Sequence, residues 1–452
     1  MTPACIPPEI LALCRALRHA GHAAYLVGGA VRDHLRFPGG CPSPGGRLCQ
    51  KVAKDFDLTT SASPTEVLRL FSAERTITTG MAHGTVVVLV PRAGMDLPER
   101  VEITTFRAEG SYSDGRRPDT VAFIDNLQED LRRRDFTINA MAYDPVDDVL
   151  VDPFLGRAAL AARSICAVGD AAKRFTEDGL RPLRAVRLAA QLDFRLAPAT
   201  EAAIPDALPT VRKVSPERIR DELIKLLGSA SAGRGLRLLR RTGLLTVVLP
   251  ELVVEDWEFE MVVAAVDALP PCEPLLRLAA LWAGRALSLA GASTLFGPAD
   301  WQAALQRLRI SNKDQARLRQ LLSTALPAYD NAWTDADVRR YLAVTPEGLR
   351  ADQELVLSAF SRAQQAEAAF AAGGGALYPR AARERAKNPP LTLGALALSG
   401  EALMAQLGLP PGPQVGVLLR QLLDCVLKDP AYNDEARLVA LARDMLGARA
   451  AC

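Results

Sequence analysis

Strand-forming runs crowd the first 152 or so of the 452 residues and then all but disappear. Between Tyr25 and Asp152 the segments "AYLVGG", "DFDLTT", "TVVVLV" and "VEITTF" are short, rich in β-branched and aromatic residues, and bounded by turn formers, which predicts strands. "SPTEVLRLF" reads as a helix with Ser63 as its cap and Pro64 in the first position. From about residue 153 leucine and alanine recur at helical spacing to the C-terminus. A chain of this length is too long for one core. The pattern therefore predicts an α+β N-terminal domain, built on a small mixed sheet with helices, followed by an all-α remainder.

Breaks in the helical part are expected at Pro205, Pro209, Pro250 and Gly297, and a linker over residues 373–390, where glycine and proline concentrate. "FPGGCPSPGGRLCQK", Phe37 to Lys51, reads as a flexible surface excursion within the first domain. The opening stretch has no basic start, and its apolar residues recur with helical period between polar ones. No signal peptide, membrane span or membrane partner is expected, and the cytoplasm is the expected location.

Eight cysteines include no C-x-x-C pair, which argues against structural zinc and a disulfide framework. Only four histidines occur, His19, His22, His34 and His83, so chemistry beyond residue 83 must proceed without imidazole. A net charge of +2 announces no nucleic-acid partner, which would have to be met by local patches.

Three stretches carry chemistry. In "KDFDLTT", Asp55 and Asp57 stand two apart on a strand, so both carboxylates project from one face and can grip hard cations. In "LVGGAVRD", Gly28 and Gly29 form a turn between a strand and a helix, where backbone N–H groups can meet a phosphate and Arg32 can add charge. In "TEDGLRPLRAVRLAAQLDF", Arg181, Arg184 and Arg187 recur every third residue behind Glu177 and Asp178, a row on one helix face with leucines opposite. By itself that row reads equally as a solvated charged face, and Pro182 removes one backbone donor near its start.

G-G-x-V-R-D followed by D-x-D resembles the head domain of the nucleotidyltransferase superfamily that includes DNA polymerase beta. The nearer resemblance is to class II tRNA nucleotidyltransferases and bacterial poly(A) polymerases, through the ordered blocks "RRDFTINAMAYD", "VDPFLGRAAL", "EDGLRPLRAVR" and "SPERIRDELIKLL". It covers about residues 23–228. The resemblance implies a polymerase-beta-like head with a small mixed antiparallel sheet (1–152), then an all-α neck with the base-recognition block (153–228), a body (229–372), the linker (373–390) and a tRNA-binding tail (391–452). It also implies that Asp55 and Asp57 hold two Mg2+ ions, with Glu102 as candidate third carboxylate, and that the RNA 3′-hydroxyl is the nucleophile. Gly28, Gly29 and Arg32 would hold the triphosphate, Arg134 and Asp135 would approach sugar and phosphates, and Asn139 would orient that loop. Asp178 and Arg181 would pair with the base edge of CTP or ATP, with Arg184 and Arg187 positioning them.

"TGMAHGTVVV" and the Gly- and Ser-containing stretch Phe106–Phe123 resemble blocks of enzymes that add all of C-C-A to the tRNA 3′ end, the latter as a loop that permits the switch from CTP to ATP. Addition of A alone or CC alone, poly(A) synthesis, and a catalytically inactive tRNA-binding protein are the alternatives. "LLRLAALWAGRAL" resembles the place of a His-Asp metal pair in related enzymes, but Trp282, Ala283 and Gly284 stand there, so the body is expected to be helical without hydrolase chemistry. Gly412 and Gly416 begin a helix where RNA phosphates could approach, and "RAARERAK" is a local positive patch. Oligomeric state is not legible.

Overall fold

The computed structural model describes residues 6–36, 41–42, 48–49, 56–72, 75–91, 97–109, 121–252, 254–288, 298–323, 333–344, 352, 355–356, 358–359 and 377–450. The chain divides into two units, 1–250 and 251–452.

The first unit opens with α1 (Pro8–His19), which buries Ile10, Leu13, Cys14 and Leu17 at the three-and-four spacing of one helical stripe. Among the described residues as far as 151, strands and helices then follow: β1 (Ala24–Val27), α2 (Gly29–Arg36), β2 (Cys41–Pro42), β3 (Leu48–Cys49), β4 (Asp57–Thr60), α3 (Pro64–Phe71), β5 (Thr76–Ile77), β6 (Thr85–Val90), β7 (Glu99–Thr105), β8 (Arg107–Glu109), β9 (Val121–Phe123), α4 (Leu127–Arg132), β10 (Ala142–Asp144) and β11 (Val149–Val151). Seven strands form one sheet in the order β11-β10-β1-β4-β7-β6-β5. The β4·β7 pair is parallel and the other pairs antiparallel, so the sheet is mixed, as the sequence predicts. Alternating residues Val86, Val88, Val101 and Ile103 join Leu26 and Leu58 in a core covered by α1, α2 and α3. α3 starts in the expected place, with a capping box in which the Ser63 hydroxyl accepts from Glu66 N and the Glu66 carboxylate accepts from Ser63 N.

Two expected excursions prove to be partly ribbon. Within Phe37–Lys51, β2 pairs antiparallel with β3. Within Phe106–Phe123, β8 pairs antiparallel with β9. Apart from buried Phe106, the rest of both stretches lies outside the described residues, as does Asp55.

Helices then take over within the same unit: α5 (Gly156–Ala161), α6 (Ala171–Glu177), α7 (Arg181–Leu192), α8 (Pro198–Ala202), α9 (Ile204–Val211), α10 (Pro216–Leu227), α11 (Ala232–Arg241) and α12 (Leu245–Val248), with a parallel ribbon of β12 (Ser164–Ile165) and β13 (Arg195–Leu196). The arginine row departs from its sequence reading in two ways. Asp178 adopts an extended conformation and ends α6, so the acids and the arginines stand on either side of a break. Gly179 within that break is pressed against α9, where an added Cβ would come 2.5 Å from the Thr210 carbonyl oxygen. The row is also no solvated face: Arg181 and Arg187 are buried at 8% and 9% exposure, Arg181 paired with Glu177 across the break and Arg187 with Glu222, 35 residues away. Pro182 sits in the first turn of α7, where a missing N–H costs nothing.

In the second unit the described residues form helices only: α13 (Asp256–Ala268), α14 (Pro274–Ser288), α15 (Pro298–Arg307), α16 (Asn312–Ser323), α17 (Asp335–Val344), α18 (Leu377–Ala386), α19 (Gly400–Leu407), α20 (Pro413–Lys428) and α21 (Glu435–Ala450), with short 3-10 turns between some of them. Buried arginines close two helix ends. Arg277 of α14 donates from Nε and Nη2 to the carbonyl of Leu269, the residue that ends α13, at 3.0 and 2.7 Å. Arg339 of α17 donates to the Leu427 and Lys428 carbonyls, both at 2.8 Å, at the end of α20, and pairs with buried Glu384. Such bonds satisfy carbonyls that a helix terminus leaves without partners. Among the described residues no helix is long and apolar enough to cross a membrane.

Candidate active site

A cavity of about 360 Å3 opens in the first unit where β1, β4, α2, α4 and α7 converge. Its first wall is the Gly28–Gly29 turn. Gly28 has a φ of +73°, which glycine alone adopts at no cost, and a side chain there would bring Cβ within 3.4 Å of Asp57 Oδ2 and 3.9 Å of Arg134 Nη1. The tight turn thus lays backbone directly against a carboxylate and a guanidinium. Arg32, one turn into α2, donates from Nη1 to Asn139 Oδ1 at 2.9 Å and from Nε to Asp33 at 2.7 Å.

Asp57 begins β4 and lines the cavity. Its register partner on the parallel neighbour β7 is Glu102, which sets the two side chains on one face of the sheet. Glu102 is exposed and does not line the cavity.

Opposite stands "RRDF". Arg133, Arg134 and Asp135 all line the cavity. Asp135 accepts from Arg184 Nε and Nη2 at 2.9 and 2.7 Å, from Asn139 Nδ2 at 3.1 Å and from Phe136 N at 2.8 Å. Burial opposes its ionisation, but the Arg184 guanidinium and these bonds outweigh it and hold the carboxyl at about 2. Arg134 sits among Asp130, Asp57 and Asp135, with burial pulling its pKa down. Its buried Nε has no hydrogen-bond partner among the described residues. Asn139 joins Arg32 to Asp135 and so ties the start of α2, beside the glycine turn, to this loop.

The third wall is the α6–α7 break. Asp178 accepts from Leu180 N at 3.0 Å on Oδ1 and from Arg218 Nη2 at 2.7 Å on Oδ2. Arg181 donates to Glu177 Oε2 at 2.7 Å and to the carbonyls of Arg174 and Arg133, both at 3.0 Å. Arg187 donates to buried Glu222 and to Gln191, both at 2.7 Å, and Arg184 approaches Glu222 at 3.5 Å. Six arginines against three aspartates line the space, so the cavity favours an anion.

Gly28, Gly29, Arg32, Asp57, Arg134, Asp135, Asn139, Asp178, Arg181, Arg184 and Arg187 thus share one cavity, whereas Glu102 lies beside it and Asp55 lies outside the described residues. Four further side chains of the site were not singled out from sequence: Arg133, Asp130, Arg218 and Glu222. Arg218 and Glu222 stand four apart in "SPERIRDELIKLL" and meet Asp178 and Arg187 from one face of α10, a spacing that could have suggested a shared role.

Comparison with known proteins places this arrangement. The family described as Poly A polymerase head domain matches residues 24–166, and that described as probable RNA and SrmB-binding site of polymerase A matches residues 193–255. The chain is 36% identical to the CCA-adding enzyme of Geobacillus stearothermophilus over 96% of both chains. It is 34% identical to that of Levilactobacillus brevis over 95% of this chain and 96% of the other. Among solved structures, the Bacillus stearothermophilus CCA-adding enzyme in complex with CTP superposes with a TM-score of 0.69 at 32% identity, covering 98% of this chain and 99% of that one. The Thermotoga maritima CCA-adding enzyme complexed with tRNA gives a TM-score of 0.67 at 20% identity over 98% and 96%, a likeness of fold.

Proposed function

This chain belongs to the CCA-adding enzymes of the nucleotidyltransferase family, and from that premise we propose that it adds C, C and A to the 3′ end of tRNA from CTP and ATP without a nucleic-acid template. In each step the RNA 3′-oxygen forms a bond to the α-phosphorus, the bond from that phosphorus to the β-phosphate oxygen breaks, and pyrophosphate leaves. The observation that carries the reading is the joining of Asp178 and Arg181 to Gly28, Asp57 and Arg134 around one cavity.

The Asp57 carboxylate against the Gly28 turn offers the hard oxygen donors that suit a divalent ion, and we assign Mg2+ to Asp57 together with Asp55, with Glu102 as third carboxylate on the strand beside Asp57. Bound there, such ions supply charge neutralisation and a lowered pKa for the attacking hydroxyl. Arg32, Arg133 and Arg134 hold phosphate oxygens, for which a planar, always-charged donor is suited. Asp135 and Asn139 face the sugar. Asp178 accepts from the exocyclic amine that cytosine and adenine share, and Arg181 donates to the neighbouring ring nitrogen; guanine and uracil offer the opposite pattern. Both groups are held before a base arrives, Asp178 by Arg218 and Leu180 N and Arg181 by Glu177 and two carbonyls, which supports a fixed template.

The five-part division at residues 152, 228, 372 and 390 is carried forward as part of this proposal, with tRNA lying along the helical parts, and so is a cytoplasmic location. The test is to incubate the protein with Mg2+, all four nucleoside triphosphates and a tRNA lacking C-C-A, then to sequence the 3′ ends. Ends at C-C-A are expected. Ends at C-C, addition of A only to tRNA already ending in C-C, long A tails, or no extension would replace the reading with a partial enzyme, a poly(A) polymerase or a binding protein.

A further inference from the structure

Asp130 is absent from the cavity wall yet gathers the parts that form it. It lies on α4 with no solvent exposure. Oδ1 accepts from Arg133 Nε at 2.9 Å and from the backbone N of Arg107 at 3.3 Å, and Arg133 Nη2 approaches the same oxygen at 2.9 Å. Oδ2 accepts from Thr59 Oγ1 at 3.1 Å and from Arg134 Nη2 at 3.5 Å. Thr59 is two residues beyond Asp57 on β4, and Arg107 opens the β8–β9 ribbon. Four residues from three pieces of chain, the end of α4, β4 and β8, therefore meet at one carboxylate. Two of them, Arg133 and Arg134, line the cavity.

A fully buried carboxylate is costly unless it is paired and its lone pairs are satisfied. Arg133 and Arg134 supply that pairing, and burial in turn fixes the direction of both guanidinium groups. An arginine held on one edge keeps its other N–H groups in a fixed fork, so it loses less freedom on meeting a phosphate. Arg134 has such capacity in hand, since its buried Nε is without a partner among the described residues.

Resting on the function proposed above, we propose that Asp130 is a positioning residue: it aims Arg133 and Arg134 at the polyphosphate of the incoming nucleotide and ties both to the strand that carries Asp57. It does not itself touch the nucleotide. A carboxylate that served the core alone would, when altered, weaken every ligand of the cavity alike, whereas aiming two arginines predicts a loss confined to phosphate.

The test uses the full chain with Mg2+ and three probes: CTP, inorganic pyrophosphate, and cytidine, which has base and sugar but no phosphate. Asp130→Asn keeps shape and removes charge. Loss of charge-assisted bonds predicts binding of CTP and of pyrophosphate weakened about 10- to 100-fold, with cytidine unchanged and kcat at saturating CTP within about threefold. Thr59→Val keeps the charge and removes one anchoring donor, and a loss of about two- to fivefold for the same two probes is expected. If the asparagine variant does not fold, the valine variant decides. Unchanged pyrophosphate affinity in the folded variants, or cytidine weakened as much as pyrophosphate, overturns the proposal. Failure of the unaltered protein to extend tRNA would instead sink the function reading.

Discussion

Asp135 shows how charge and hydrogen bonds together hold the site. Its folded pKa of about 2 lies below the ordinary aspartate value, so its ion pair with Arg184 contributes stability that is present in full above about pH 5 and is lost as pH falls through about 2. A depression from 3.8 to about 2 corresponds to about 2 kcal/mol. Asp135→Asn should therefore lower unfolding free energy by about that much at pH 7, and the gap between variant and parent should narrow to a small remainder near pH 2, where the parent carboxyl is taking up its proton. Denaturant titrations at both pH values check this, and a gap of equal size at pH 7 and pH 2 would count against it. The role proposed for Arg181 is selection instead. Arg181→Ala should cost about 10- to 100-fold in kcat/KM for CTP and ATP, the worth of a charged hydrogen bond, while UTP gains ground relative to CTP in competition assays. The pairing of these arginines was the part least legible in the sequence. A row at spacing three reads as exposed because its partners, Asp135 and Glu222, lie 49 and 35 residues away.

At the scale of elements, the sheet was legible and the α6–α7 break was not. Each quoted strand run contains a strand of the large sheet, because β-branched residues in short runs between turns have few other structures open to them. The break's local signal is weaker: Asp178 Oδ1 accepts from Leu180 N, a cap that suits the start of one helix as well as a break, and the closeness of α9 to Gly179 is what the sequence does not show. That closeness makes a prediction. Gly179→Ala would force Cβ to within 2.5 Å of Thr210 O and 2.7 Å of its carbonyl carbon, so backbone must move, at a cost of about 1–3 kcal/mol. Because the same residues carry Asp178 and Arg181, KM for both nucleotides should rise together with the loss in melting temperature. Gly21→Ala is the contrast: its φ of +87° imposes strain of about 1 kcal/mol. Nothing lies within 4 Å of the added Cβ. It should lower melting temperature and leave KM unchanged. Equal effects of both variants on KM would mean that the break is not what places Asp178 and Arg181 for the role proposed for them.

For the whole molecule, the change from mixed sheet to helix was read near residue 153, yet the division between compact units falls at 250. The difference has a physical cause. α7 is shared: its cavity face carries Arg181, Arg184 and Arg187, while Ala190 on another face meets Gly235 of α11, where an added Cβ would sit 3.0 Å away. Sheet and first helices thus close around one site, and secondary-structure content changes where packing does not. All cavity-lining residues belong to the first unit, and no net charge beyond +2 is present to bind RNA from a distance. Nucleotide binding and RNA binding should therefore separate when the chain is cut at the unit boundary. A fragment of residues 1–250, shown to be folded by circular dichroism, should bind CTP with a Kd within about threefold of the full chain, since every contact proposed for the nucleotide remains. The same fragment should extend tRNA poorly at low RNA concentration and recover in part as RNA is raised, because the role proposed for the lost helices is in RNA affinity and not in the reacting groups. A folded fragment that fails to bind CTP would show that the second unit is needed to hold the cavity itself.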